Sequence, residues 1–170
     1  MRIDSSFIAD FVFAAVIYLI LLFTLWKNKG VKKIVVNSIM YFYIVAVFMV
    51  TIMPVIENIK YIGTFEYRFM RLVPFDDYNC GRVAAFKQLV LNTLMFIPFG
   101  FLLPLVRKHN LLTVTLLSVA FSVFIEVFQP FISAVRYSDI TDVITNTLGG
   151  IIGYLLYLLI KKLFKKEELV

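Results

Sequence analysis

Ser122 to Gly153 reads SVFIEVFQPFISAVRYSDITDVITNTLGGIIG. Two apolar runs enclose Glu126, Gln129, Arg136, Asp139, Asp142 and Asn146. Ionisable groups so close to hydrocarbon-like sequence are expensive and point to a functional site by default. The reading of the chain depends on where this polar cluster lies relative to the runs around it.

The runs decide the class. The chain has 170 residues, 61% of them hydrophobic, and a mean hydropathy of +0.90. Soluble domains are about 45–50% apolar. Five runs are each long enough to cross a bilayer, which takes about 20 apolar residues. They span residues 7–26, 34–56, 86–106, 111–131 and 143–160. Backbone amides in hydrocarbon must be satisfied internally, and continuous runs do this as helices rather than as a barrel. The expectation is an all-α membrane protein, a bundle of about five transmembrane helices forming one domain over residues 1–170.

Charge supplies orientation. Lys27, Lys29, Lys32 and Lys33 follow the first run, Arg107 and Lys108 the third, and Lys161, Lys162, Lys165 and Lys166 the fifth. These positions share one side of a five-span chain, and the positive-inside rule makes that side cytoplasmic. The N-terminus and the connections 57–85 and 132–142 then face outward. The net charge of +6 is thereby read as a topological signal, without a nucleic-acid partner. The first run has no basic stretch before it and reads as a retained span rather than a cleaved signal. Cys80 is the single cysteine, so no intramolecular disulfide forms, and His109 is the single histidine. Residues 65–78 mix Arg and Tyr with Phe and Leu and are expected to form an interfacial or re-entrant element broken at Pro74. An ordinary loop packed on helix ends is the equal alternative.

In this orientation Asn92 lies about 9 Å below the start of the third span, at 1.5 Å per residue. Glu126 and Gln129 lie in the outer third of the fourth. Asp142 stands at the mouth of the fifth, with Asn146 one turn deeper. Glu126 and Gln129 share a face at i and i+3, Ser122 extends it, and Asp139, Asp142 and Asn146 follow i, i+3, i+7. Gly149, Gly150 and Gly153 continue the last stripe inward, where small residues let helices approach. Pro98 and Pro104 withhold hydrogen bonds from the carbonyls of Leu94 and Gly100. A kink there would open a pocket or only shape the packing.

Three linked patterns carry a resemblance. The third span reads N-x-x-x-F-x-P-F-G-x-x-x-P from Asn92 to Pro104, and the fourth S-x-x-x-E-x-x-Q from Ser122 to Gln129. R-x-x-D-x-x-D-x-x-x-N-x-x-G follows from Arg136 to Gly149, and LVPF precedes all three at Leu72 to Phe75. In that order they resemble the VanZ-like family of bacterial membrane proteins, from Leu72 onward. Members commonly carry Asn before the LxPF element, where this chain has Arg71. The family takes its name from a protein associated with teicoplanin resistance in Gram-positive bacteria. The resemblance implies a role at the outer face of the cytoplasmic membrane, near lipid-linked cell-wall precursors or lipoglycopeptides. It implies no particular reaction or cofactor.

Two functional readings follow. In the first, the cluster binds a lipid-anchored or lipopeptide ligand through Asn92, Gln129, Arg136, Asp139 and Asn146. Arg136 is then suited to a bidentate contact with phosphate or carboxylate. In the second, Glu126 and Asp142 are a catalytic acid–base pair acting on a lipid-linked envelope substrate. Oxygen ligands from Glu126, Asp139 and Asp142 would suit Mg²⁺ or Ca²⁺, but no metal site is assigned. The bland reading is polar glue: Arg136 paired with Asp139 or Asp142, and Gln129 with Asn146. For any single residue glue is the better explanation, but it does not require several carboxylates at one depth. Asp76 and Asp77 read as solvated loop residues. Transport has little support, with no inverted repeat and titratable groups on one side of the midplane only. The basic tail is expected to rest on anionic membrane lipids.

Overall fold

The computed structural model describes residues 5–53, 55, 71–132 and 138–167. Among these there are five helices long and apolar enough to cross a membrane: Phe7–Trp26, Val31–Thr51, Ala84–Val106, Leu111–Phe131 and Ile140–Phe164. No strand is formed among the described residues. The all-α membrane bundle expected from the sequence is the architecture observed.

The described residues fall into two compact bodies, one within Met1–Phe69 and Val127–Ser138, the other within Met70–Glu126 and Asp139–Val170. In the first body, α1 (Ser5–Leu21) passes without a break into a π-helical segment, Leu22–Trp26. A turn leads to α2 (Val31–Thr51). Two tyrosines link these helices: the Tyr18 hydroxyl pairs with Ser38 Oγ at 3.0 Å, and Tyr41 donates to the carbonyl of Ala14 at 2.5 Å. Asp10, although in an apolar helix, is only 3% exposed, and its Oδ2 accepts the backbone N–H of Val55 at 2.6 Å.

The second body contains α3 (Asp76–Asn79), α4 (Val83–Val106), most of α5 (Leu111–Ile132) and α6 (Ile140–Glu167). The short α3 is bounded by two residues in the left-handed region, Phe75 (φ 59°) before it and Gly81 (φ 72°) after it. At Gly81 the absent Cβ removes the penalty; at Phe75 the conformation is uncommon for a bulky residue. Helices α4 and α6 pack along their lengths. A Cβ on Gly100 would collide with the backbone of Gly150, one on Gly149 with the Thr93 carbonyl, and one on Gly153 with the Ile97 carbonyl. The glycines are therefore the condition for this contact. Phe96, Phe99 and Phe121 stack beside the seam with ring centroids 4.9–5.6 Å apart, and Phe96 is fully buried.

The inside–outside pattern is that of a membrane protein. Ser118, Ser122, Glu126 and Asn146 are at most 2% exposed, whereas Leu112, Leu116, Leu148 and Phe164 are exposed. Polar groups turned inward and apolar ones outward are what hydrocarbon surroundings require. Helical threonines do not compete with the ladder. Thr93, Thr145 and Thr147 return their hydroxyls to carbonyls four residues back.

Several boundaries differ from the apolar runs: α2 begins at Val31, not 34, and α6 continues to Glu167, past 160. Helix α2 ends at Thr51, not residue 56, and α4 begins at Val83, not 86. Helix α6 begins at Ile140, so Asp142 sits inside its first turn instead of ahead of it. The start is set by a cap that composition does not reveal: Asp139 Oδ1 accepts the Thr141 N–H at 2.7 Å, satisfying an amide that has no partner within the helix. Pro98 and Pro104 lie within a continuous α4, and no break occurs at either. Of the element expected at residues 65–78, the described part is a turn and the single-turn α3, while 65–70 lie outside the described residues.

Candidate functional site

Three hydrogen bonds at Asp139 and Ile140 fix the start of α6. The Asp139 side chain caps the helix. Its own N–H donates to Glu126 Oε2 at 2.9 Å, so a carboxylate buried in α5 (1% exposed) holds the α6 N-terminus in place. Its position is also tied to the connection before α3, because the Ile140 N–H donates to the Arg71 carbonyl at 3.0 Å. At the next residue, Thr141 Oγ1 accepts the N–H of Phe75 at 2.9 Å. That bond secures the residue held in the left-handed conformation. The segment Arg71 to Phe75 and the motif that begins at Arg136 thus belong to one structure, joined at Arg71–Ile140 and Phe75–Thr141 by hydrogen bonds that leave no trace in side-chain spacing.

Asp142 is placed by this frame. It is half-buried, and both its oxygens accept from Gln88 Nε2, Oδ2 at 3.0 Å and Oδ1 at 3.2 Å. Asn92, one turn along α4 from Gln88, lies beside the same carboxylate, and its buried amide nitrogen has no hydrogen-bond partner. A cavity of about 20 Å³ opens here, lined by Phe75, Asp77, Gln88, Asp139, Thr141 and Asp142 among others. One water molecule needs roughly 10–15 Å³ of such space, so the cavity admits a single water or one small polar group. At its rim Asp77 Oδ1 is shared by Arg71 at 3.0 Å and Arg82 at 2.9 Å.

Asn146 lies deeper. It is 2% exposed and donates from Nδ2 to Ser122 Oγ at 2.8 Å, while its Oδ1 has no partner. Its amide partner is therefore Ser122. Gln129 is half-buried on the last turn of α5, which belongs to the first body. Arg136 lies outside the described residues. Of the sequence-derived candidates, the second body brings together Glu126, Asp139 and Asp142, with Asn92 beside them. Among the described residues no three acidic, histidine or cysteine side chains converge as metal ligands would. Glu126 faces the Asp139 amide, and Asp142 faces Gln88.

Several contributors escaped the sequence reading. Gln88 precedes Asn92 by four residues, so helical periodicity alone puts both on one face. That signal was available. Asp77, read as solvated, is an ion-pair hub with 28% side-chain exposure. Arg71, the departure from the family pattern, contributes both its carbonyl and its guanidinium. Neither role has a periodic signature, because both come from irregular backbone.

Comparison with known proteins agrees with this arrangement of motifs. The family model described as VanZ/LLP1 matches residues 39–161, from α2 to the polar end of α6 and so well before the first motif at Leu72. Protein VanZ of Enterococcus faecium is 32% identical over 138 residues, 81% of this chain and 82% of that relative. No solved structure matches. Motif order, an apolar five-helix architecture and identity across most of both chains lead to one conclusion: this multi-pass membrane protein belongs to the VanZ family.

Proposed function

We propose that the chain acts at the outer face of the bacterial cytoplasmic membrane, with its N-terminus outside and its C-terminus in the cytoplasm. Its role is in tolerance of teicoplanin-type glycopeptides, or in maintaining the envelope those compounds attack. Asp142 is the group that meets the ligand, a lipoglycopeptide or a lipid-linked wall precursor. One observation carries this reading: a half-buried carboxylate, fixed at both oxygens by Gln88, opens onto a polar cavity at the end of two packed helices. A carboxylate needed only as glue would be closed off by its partner. Asn92 and Asp139 flank Asp142, and Glu126 and Asn146 support them from behind. Gln129 and Arg136 join the set on the sequence argument alone, and the whole chain is read as one functional membrane domain.

The cavity also favours a second reading. Room for one water beside Asp142 is what a general base requires. Carboxylate acid–base chemistry on a lipid-linked envelope substrate is then the activity. Asp142→Asn tests both readings, since it retains the shape and the acceptor for Gln88 but removes the charge. In a teicoplanin-sensitised Gram-positive host, the variant should reach wild-type membrane abundance yet lose tolerance. Tolerance retained at normal abundance would refute Asp142 as the ligand-facing group. Binding of teicoplanin to the purified protein separates the two: the binding reading requires it, whereas the enzymatic reading requires turnover of a lipid-linked precursor.

A further inference from the structure

The first body holds a feature that the carboxylate site does not use. The backbones of α1 and α2 approach each other at the π-helical end and little elsewhere. Tyr18 and Tyr41 reach across the gap and hold the helices apart by the length of their rings. This leaves an open slot of about 490 Å³, within the roughly 300–1,000 Å³ range of ligand-sized pockets. Ala14, Ala15 and Ala46 line it between walls of Phe11, Phe42 and Met49. Its polar edge is small, because both tyrosine hydroxyls are already engaged. At the end where the helices meet, Lys27 and Lys29 in the turn and Lys32 and Lys33 at the start of α2 are exposed. Trp26 lies between the two features, its ring 6.1 Å from that of Tyr18.

We infer that this slot and turn form a binding site for one anionic phospholipid, with its phosphate on the lysines and an acyl chain between α1 and α2. Charge complementarity selects this occupant over a second copy of the chain, which would bring a second set of four lysines to the same end. The order of chemistry along the helices is that of a phospholipid: cationic turn, aromatic collar at Trp26 and Tyr18, then apolar slot. The π-helical segment widens the last turns of α1 where the lipid's glycerol region would pass. Tyrosine bridges in place of small-residue contacts explain why these two apolar helices do not close on each other as α4 and α6 do.

Trp26 is the single tryptophan, so its fluorescence reads out the site without labelling. The full chain is placed in phosphatidylcholine vesicles carrying a small fraction of acyl-brominated phosphatidylglycerol or acyl-brominated phosphatidylcholine. Bromine quenches tryptophan at contact. Local enrichment of the anionic lipid should be about fivefold, the equivalent of about 1 kcal/mol from one lysine near an anionic surface. Equal quenching by both lipids would overturn the proposal. Replacing the four lysines by glutamine should abolish the preference. Ala46→Phe, which fills the slot with the lysines intact, should do the same, and a preference surviving it would leave only charge-attracted surrounding lipid and defeat the slot. Should Ala46→Phe not fold, competition in the wild type decides. Glycerol phosphate, which has no acyl chain, should fail to displace the brominated lipid, and displacement by it would refute a chain in the slot.

Discussion

Glu126 is the most buried carboxylate in the described structure, and its visible work is to accept a backbone amide from the next helix. The acid–base role suggested by its place in an apolar run is a separate proposal; the cavity walls include Asp139 and Asp142. A division of labour follows. Glu126→Gln keeps an acceptor for the Asp139 N–H and should retain abundance and thermal stability near wild type. Glu126→Leu strands that amide, and an unsatisfied buried group costs about 1–3 kcal/mol. Abundance in membranes and the unfolding temperature in detergent should both drop for Leu and hold for Gln. If Gln proves as damaging as Leu, the charge itself is structural and Glu126 requires an ion-pair partner. Asp142→Asn should be the reverse of Glu126→Leu, stable but inactive.

At the scale of elements, the α4–α6 seam is where a single methyl should matter most. Interior overpacking commonly costs about 1–3 kcal/mol, and the sign of the effect depends on what the new atom meets. Gly100→Ala points at the Gly150 backbone, which cannot move aside, whereas Gly150→Ala points at the Ser118 side chain, whose hydroxyl can rotate although its Cβ, 2.8 Å away, must still shift. Gly100→Ala should therefore destabilise more than Gly150→Ala. Gly149→Leu and Gly153→Leu, which drive side chains into carbonyls of α4, should be worse than either. Thermal unfolding of the purified variants ranks them, and equal unfolding temperatures across the series would mean that the helices do not meet at these residues. The continuity of α4 through Pro98 and Pro104 belongs to the same scale. A proline removes one hydrogen bond, but α4, packed along one face against α6, stays helical through both.

For the whole molecule, orientation is the property on which the proposed outer-face site depends. Cys80 is exposed and free, in the connection between the second and third spans, and the proposed topology puts the lysine-rich turns on the opposite side. A membrane-impermeant maleimide should label Cys80 in intact cells. In a Cys80→Ser background, Lys162→Cys should be labelled only after the membrane is permeabilised. The opposite pattern would place the Asp142 cavity on the cytoplasmic face and remove contact with extracellular glycopeptides. The inward turn of Ser118, Ser122 and Asn146 gives the rest of the molecule its class without reference to direction.

The membrane class, the number of spans and the inward polar stripe were determined by the sequence itself, because hydrocarbon imposes length and periodicity on every segment that crosses it. The family was legible too, since its motifs are linear strings spanning Leu72 to Gly149. The glycine seam could be anticipated from Gly149 and Gly153, four residues apart on one helical face. What only the tertiary structure decided is who meets whom. Gln88 emerges as a partner of Asp142, Ser122 as that of the Asn146 amide, and a backbone amide as one partner of Glu126. Asp77 turned from a solvated residue into the partner of two arginines. The physical reason is common to all four. Helical spacing specifies which side chains share a face, but a hydrogen bond between elements depends on the rotation and offset of each against the next. Those are set here by the Asp139 cap, the Phe75–Thr141 bond and the close approach of Gly100 to Gly150, none of which has a period to be read.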